Sequence, residues 1–135
     1  NTVNNNSRGF RLFLTSNNNS FVNNTVKDNS AYGFYLSSSL NNTITGNQIT
    51  SSTANSVGLY FTTSHSLIAS NNNISTSGSG TSYAIHSSSS TGGIISNGSL
   101  SASYAGVSDV YVQGTGINNF TNCSFNKSDT SFNSG

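Results

Sequence analysis

Apolar residues recur along this chain in three series, each with a period near 24 residues. The first series is Val3, Val26, Ile49, Ile74, Leu100 and Phe125, with steps of 23, 23, 25, 26 and 25 residues. The second is Phe21, Ile44, Ile68, Ile95 and Phe120, which precedes the first by five residues, with Ile68 displaced by one. A fixed period of this length is typical of repeat architectures, in which each repeat packs against its neighbours.

The third series consists of tripeptides whose outer members are apolar. They are Phe10-Arg11-Leu12, Phe34-Tyr35-Leu36, Leu59-Tyr60-Phe61, Tyr83-Ala84-Ile85 and Val110-Tyr111-Val112. This alternation indicates a short strand with one buried face, and the turns lack the repeated Asn-Gly or Asp-Gly pair that hairpins favour. The sequence therefore predicts an all-β fold, a parallel β-helix (solenoid) of five to six coils with three short strands per coil. We expect one domain, 1–135, with coils near 1–17, 18–40, 41–65, 66–90, 91–115 and 116–135.

The chain is unusually polar, since Asn, Ser and Thr make up 68 of its 135 residues. Disordered chains, however, carry high net charge and few aromatic residues, whereas this chain has a net charge of +1, no Pro, eight Phe and six Tyr. A narrow solenoid core needs few apolar side chains per coil, and Asn suits the turns. We predict a ladder of stacked amides at Asn24, Asn47 and Asn72, continued by Gly98 and Cys123.

Two segments carry a resemblance to a known group of repeats. GFRLFLTSNNNSFVNNTV, residues 9–26, and GFYLSSSLNNTITGNQI, residues 33–49, resemble the NosD-like repeats of the pectin-lyase-like superfamily. The resemblance covers the whole chain and implies a right-handed, single-stranded parallel β-helix. It implies little about function, because this fold hosts lyases, hydrolases, carbohydrate binders, adhesins and structural rods. The group is associated with copper-enzyme maturation, but this chain has no Met and one Cys, so the resemblance is used as a fold label and no cofactor is expected.

The residues that could carry chemistry are few and scattered. Acid–base cleavage of glycosides needs two facing carboxyl groups, and Asp28, Asp109 and Asp129 are not expected to converge. His65 and His86 take different positions relative to their strands, so neither a metal site nor an enzyme is expected.

Four basic and three acidic residues give no footprint for nucleic acid, and no apolar run is long enough for a membrane span. The first residue is Asn and no leader is present, which fits a processed mature form or a fragment.

Two surface features point to a location outside the cell. N-glycosylation sequons begin at Asn5, Asn18, Asn23, Asn41, Asn73, Asn97, Asn119, Asn122 and Asn126, and most are expected in exposed turns. The middle column of the third series, Arg11, Tyr35, Tyr60, Ala84 and Tyr111, is expected to point outward. Tyr35, Tyr60 and Tyr111 would then stack on sugar rings or on another protomer, or would simply suit a sheet surface.

The ends of the coil stack suggest self-assembly. No segment has helical periodicity that would cap a coil, and open strand edges are templates for another chain. The expected axial contacts are Val3, Phe10, Leu12, Phe120, Phe125 and Phe132. The leading hypothesis is a non-enzymatic extracellular structural protein that stacks head to tail into a glycosylated filament. The alternative is a carbohydrate-binding or adhesin module, or a fragment of a larger cell-surface protein.

Overall fold

The computed structural model describes residues 1–114, 118–126 and 131–133. Within them the regular structure is β-strand, arranged in three parallel sheets. Sheet A contains β1 (Thr2–Asn4), β4 (Thr25–Lys27), β7 (Gln48–Ser51), β10 (Asn73–Thr76), β13 (Ser99–Ala102) and β16 (Ser124–Phe125). Sheet B contains β2 (Arg8–Phe13), β5 (Tyr32–Ser37), β8 (Val57–Thr62), β11 (Ile85–Ser88), β14 (Val110–Gln113) and β17 (Ser131–Asn133). Sheet C contains β3 (Ser20–Val22), β6 (Thr43–Thr45), β9 (Ile68–Ser70), β12 (Gly93–Ser96) and β15 (Asn118–Thr121).

Strands three places apart along the chain pair in parallel, so each of the first five coils contributes one strand to each sheet. The fold is a β-solenoid of about five turns with about 25 residues per turn, which confirms the predicted parallel β-helix. Val3 pairs with Val26, Val26 with Ile49, and Ile74 with Leu100, so the first apolar series is one column of sheet A. No helix able to span a membrane occurs among the residues that the structure describes.

Two of the predicted columns are wrong by one or two positions. In sheet C the partner of Ile44 is Ala69, while Ile68 points outward and is 45% exposed. In sheet B the fourth coil contributes Ile85, His86 and Ser87, rather than the predicted Tyr83, Ala84 and Ile85.

The physical reason for the second shift is a column of small residues at the start of sheet B. A Cβ added to Gly33 would lie 2.5 Å from the Gly58 oxygen and 2.5 Å from Ile49 Cγ2. Gly9 and Gly58 are equally crowded. Ala84 is the next member of this column, as shown by the hydrogen bond that the Leu59 N–H donates to the Ala84 oxygen at 2.9 Å. Val26, Ile49 and Ile74 of sheet A fill the space next to this column of small residues. A tyrosine side chain does not fit there, so the Tyr83 ring lies on the outer face of sheet B.

The predicted asparagine ladder is confirmed and is buried. The Asn47 Oδ1 accepts hydrogen bonds from the Asn24 N–H at 2.8 Å and from the Asn24 Nδ2 at 2.9 Å. The Asn72 Oδ1 accepts the equivalent pair from Asn47 at 2.9 and 3.1 Å. Cys123, which continues the column, is half-buried, and its Sγ lies 3.5 Å from the Ile95 oxygen. The ladder satisfies backbone groups that turn away from the sheets, as buried polar groups require.

Candidate ligand groove on sheet B

Two columns of side chains run along the outer face of sheet B. The first column consists of Arg11, Tyr35, Tyr60, His86 and Tyr111, with His86 at the place that was predicted for Ala84. The neighbouring column is Arg8, Tyr32 and Val57, followed by Tyr83, whose carbonyl accepts the Gly58 N–H at 3.0 Å. Because strands in a sheet stack about 4.8 Å apart, rings in adjacent coils come within stacking distance.

The rings of this face form two stacked pairs joined by an imidazole. The Tyr32 and Tyr60 ring centroids are 5.1 Å apart at an interplanar angle of 17°, and Tyr83 and Tyr111 are 5.0 Å apart at 14°. The His86 ring lies between the pairs, 4.6 Å from Tyr60 and 4.9 Å from Tyr111. The outer face is therefore a continuous aromatic band that extends from the second coil to the fifth.

A groove of about 340 Å³ lies within this band. It is lined by Tyr32, Asn55, Val57, Tyr60, Thr81, Tyr83, His86 and Tyr111. Val57 stands in the column between Tyr32 and Tyr83, where a short aliphatic side chain replaces a ring. The Val57 side chain is 5% exposed and lies at the floor of the groove, and the Tyr60 ring, which stacks on Tyr32, forms part of its wall.

The groove is uncharged near neutral pH. Burial, reinforced by neighbouring phenols, raises the pKa of Tyr32 and of Tyr83 above the ordinary value of 10.0. Burial lowers the pKa of His86 below 6.5, opposed by a hydrogen bond with Gln113. The His86 Nε2 is buried with no hydrogen-bond partner. A neutral, half-buried aromatic surface with phenol hydroxyls at its rim suits a ligand that has both apolar faces and hydroxyl groups.

The structure brings together the three tyrosines that the sequence singled out, Tyr35, Tyr60 and Tyr111, but it changes their neighbours. Ala84, which was predicted to point outward with them, is buried, and His86 takes that place because of the two-residue shift. Sequence reasoning missed Tyr32, Tyr83 and Val57 as members of this face. The signal was the small residue before each tripeptide: aligning on it would have placed Ile85, rather than Tyr83, beside Leu59 at the first inward position.

All nine sequon asparagines are exposed. Asn5, Asn18, Asn23, Asn41, Asn97 and Asn122 adopt φ between 50° and 58°, the left-handed region that Asn tolerates in turns. Asn73 and Asn119 lie instead in strands β10 and β15.

The residues expected at the two ends of the stack occupy different environments. Val3 is half-buried, and Phe10 is partly buried against Phe21 and Phe34, at centroid distances of 4.9 and 4.8 Å. Leu12 is already buried. At the other end Phe120 is half-buried and Phe125 is 38% exposed. Phe132 lies in β17 and pairs with Val112.

The possible acid, base and metal ligands do not converge in the described part of the chain. The Asp28 Oδ2 lies 3.8 Å from the Lys27 Nζ. Asp109 is buried, and its Oδ1 accepts a hydrogen bond from the Ala102 N–H. The His65 Nδ1 lies 2.8 Å from the Thr91 hydroxyl, away from His86. Asp129 lies outside the described residues. No group of three His, Cys, Asp or Glu side chains able to hold a metal ion occurs in residues 1–114, 118–126 and 131–133.

Comparison with known proteins identifies the family. The family model described as "Periplasmic copper-binding protein (NosD)" matches residues 1–135. Neither a search of curated proteins nor a search of solved structures found a match. The described residues do not offer a donor set that fits the copper of this description, since copper favours converging imidazole and sulfur ligands and the sequence has no Met. The expected location was extracellular or on the cell surface, and the periplasmic description agrees with it at a coarse level, since both lie outside the cytoplasm. The match over its full length shows that this chain belongs to the NosD family.

Proposed function

We propose that this chain is a non-enzymatic, extracytoplasmic β-helix that binds carbohydrate in the groove over Val57. The observation that supports this most strongly is the groove itself: two stacked tyrosine pairs flank an open space of about 340 Å³ whose floor includes Val57. A sugar ring presents apolar C–H faces and a hydroxyl rim. It would contact the tyrosine rings with its faces and the polar rim of the groove with its hydroxyls.

The polar rim is set by neighbouring turns. The Asn55 Oδ1 accepts a hydrogen bond from the Thr81 N–H at 3.0 Å, so these two turn residues are held together at the edge of the groove. The Tyr32 and Tyr83 hydroxyls are protonated at neutral pH, as phenols are, and burial raises the pKa of each further above 10.0. Each hydroxyl can donate a hydrogen bond to a sugar hydroxyl or accept one from it. A few placed polar groups around an apolar floor are the usual composition of a small-ligand site.

The absence of enzymatic activity is part of this proposal. Support comes from the carboxylates of the described residues: Asp28 belongs to the turn after β4 in sheet A, and Asp109 is buried and bound to the backbone. Neither lines the groove. Hydrolysis of a glycosidic bond by the usual route needs two carboxyl groups on either side of that bond.

Affinity electrophoresis through gels that contain soluble polysaccharides tests the proposal. The wild-type chain should be retarded by at least one polysaccharide, and Val57→Tyr, which places a ring in the groove, should remove the retardation. Because Val57 is 5% exposed, thermal unfolding of the variant checks that it still folds. Ile68→Tyr is the matched control, because it adds the same side chain to an exposed strand position of sheet C. Unchanged retardation of Val57→Tyr would place the binding site elsewhere.

A second candidate function is assembly into filaments. The strands of the first coil, β1, β2 and β3, pair on one side only within the described residues, and partly buried Phe10 and Phe21 line a depression of about 400 Å³ at that end. Open strand edges recruit further strands, and a head-to-tail contact that does not close produces a fibre. Electron microscopy and light scattering at increasing concentration test this, since particles that stay at 14.0 kDa would contradict assembly.

We also propose that some of the exposed sequons are glycosylated. The asparagines lie in exposed turns or, at Asn73 and Asn119, at exposed strand positions that a transferase can reach. Mass spectrometry of the native protein from its source tests it: glycan masses on peptides containing Asn18, Asn41 or Asn97 would support modification, and unmodified peptides throughout would refute it.

A further inference from the structure

Two arginines stand at the end of the aromatic band. Arg8 and Arg11 occupy, in the first coil, the same two columns that hold Tyr32 and Tyr35 in the second. The Arg8 Cζ lies 5.5 Å from the centroid of the Tyr32 ring and 5.0 Å from that of Tyr35. The Arg11 Cζ lies 4.7 Å from the Phe13 ring. Because Tyr32 also lines the groove, the Arg8 guanidinium is one ring away from the candidate ligand.

Neither guanidinium is neutralised by a carboxylate of the described residues. The ion pair found there joins Lys27 to Asp28, and the other described acid, Asp109, is buried against the backbone of Ala102. Arg8 and Arg11 are both exposed, and their contacts are to ring faces. A guanidinium stacked on a ring keeps its N–H donors in a fixed planar fork, which matches the two oxygens of a carboxylate or sulfate.

We propose that Arg8 and Arg11 form an anion subsite that continues the groove, so that the preferred ligand is a glycan bearing carboxylate or sulfate groups. This inference rests on the proposed carbohydrate function and names the chemical class of its ligand. A polysaccharide that follows the coil axis would place one sugar ring over Val57 and an acidic neighbour over the arginines. The uncharged groove supplies stacking, and the arginines supply the discrimination between neutral and anionic sugars.

The experiment compares three soluble derivatives of one glucan by affinity electrophoresis: a neutral hydroxyethyl derivative, a carboxymethyl derivative and a sulfate ester. The wild-type chain should bind at least one anionic derivative more tightly than the neutral one. Arg8→Gln should weaken that binding by about tenfold, the loss expected for one charge-assisted contact, and should leave binding of the neutral derivative within about twofold. Arg11→Gln should act in the same direction.

Lys27→Gln is the matched control, because it removes one exposed positive charge from sheet A, away from the groove. If it weakens anionic binding as much as Arg8→Gln does, net charge rather than a subsite is responsible and the inference is overturned. Equal affinity for all three glucans, or no binding to any of them, also overturns it. Preference for the carboxymethyl over the sulfated derivative, or the reverse, supports the inference and identifies the anion.

Failure of the inference and failure of the proposed function give different results. Where the inference alone is wrong, Val57→Tyr abolishes retardation by a polysaccharide and the arginine variants match the wild type. Where the groove itself is wrong, Val57→Tyr binds as the wild type does. Thermal unfolding of each variant shows whether a lost signal reflects lost folding.

Discussion

Removal of one rung of the asparagine ladder should destabilise the fold more than a surface change can. Asn47 is 1% exposed, and its Oδ1 accepts from both the backbone N–H and the Nδ2 of Asn24, a residue that is itself 5% exposed. Asn47→Ala removes this acceptor and leaves two buried donors without it. At about 1–3 kcal/mol for each unsatisfied group, the free energy of unfolding should fall by about 2–6 kcal/mol.

A loss of this size is a large fraction of the 5–15 kcal/mol that typically separates a folded domain from its unfolded state. The other side of the rung adds to it, because the Asn47 Nδ2 donates to the Phe21 oxygen at 3.0 Å and to the Thr45 oxygen at 3.1 Å. The buried ladder should therefore contribute as much to stability as a large apolar core residue does.

Urea unfolding followed by circular dichroism measures this effect. Asn73→Ala is the matched control, because it makes the same chemical change at an exposed strand position one residue from the ladder, and it should alter the free energy of unfolding by less than about 0.5 kcal/mol. Asn47→Ala with the stability of Asn73→Ala would refute the ladder as a stabilising element.

Three further predictions use the same unfolding measurement. Gly33→Ala should lower the free energy of unfolding by about 1–3 kcal/mol, since its Cβ would lie 2.5 Å from both the Gly58 oxygen and Ile49 Cγ2; an unchanged value would contradict the crowding. The pKa of His86 is depressed in the folded state, so its contribution to stability is present above the unfolded pKa near 6.5 and is lost as the pH falls through the folded pKa. His86→Phe should therefore lose less stability than the wild type when the pH is lowered. An equal change of the free energy of unfolding with pH in both proteins would refute this. The pKa of Tyr83 is raised, so its contribution is present below pH 10 and is lost as the pH rises through the folded pKa; Tyr83→Phe should be less sensitive to alkaline pH than the wild type.

The architecture could be predicted from the sequence because the solenoid repeats one environment in every coil. Val26, Ile49 and Ile74 occupy equivalent inward positions, so a fixed period revealed the column without knowledge of the turns. The ladder was visible for the same reason, since stacked amides must recur with the period of the coil.

The two errors in the predicted columns arose where the volume and the hydrophobicity of a side chain favour different positions. Ile68 matches the second series by hydrophobicity, but alternation in its strand buries Leu67 and Ala69 and turns Ile68 outward. In the fourth coil, the apolar residues Tyr83 and Ile85 on either side of Ala84 suggested the two inward positions of the strand. The corner beside sheet A accepts only a small side chain, and that steric limit is a property of the packed coils rather than of the local sequence.

The groove could be predicted only in part. The outward direction of Tyr35, Tyr60 and Tyr111 follows from strand alternation. The shape of the groove depends on Val57 lying between Tyr32 and Tyr83, and predicting that requires the correct register of two coils. It also depends on the orientations of the rings, which arise from their stacking.

The groove over Val57 is tested most directly by methyl NMR during titration with a polysaccharide that retards the wild-type chain. The Val57 methyl resonances should shift in a saturable way, while the methyl groups of Ile68 and Ile94, exposed on the outer face of sheet C, should not. Saturable shifts at Ile68 or Ile94 with Val57 unchanged would contradict the proposed site, whatever the affinity measured.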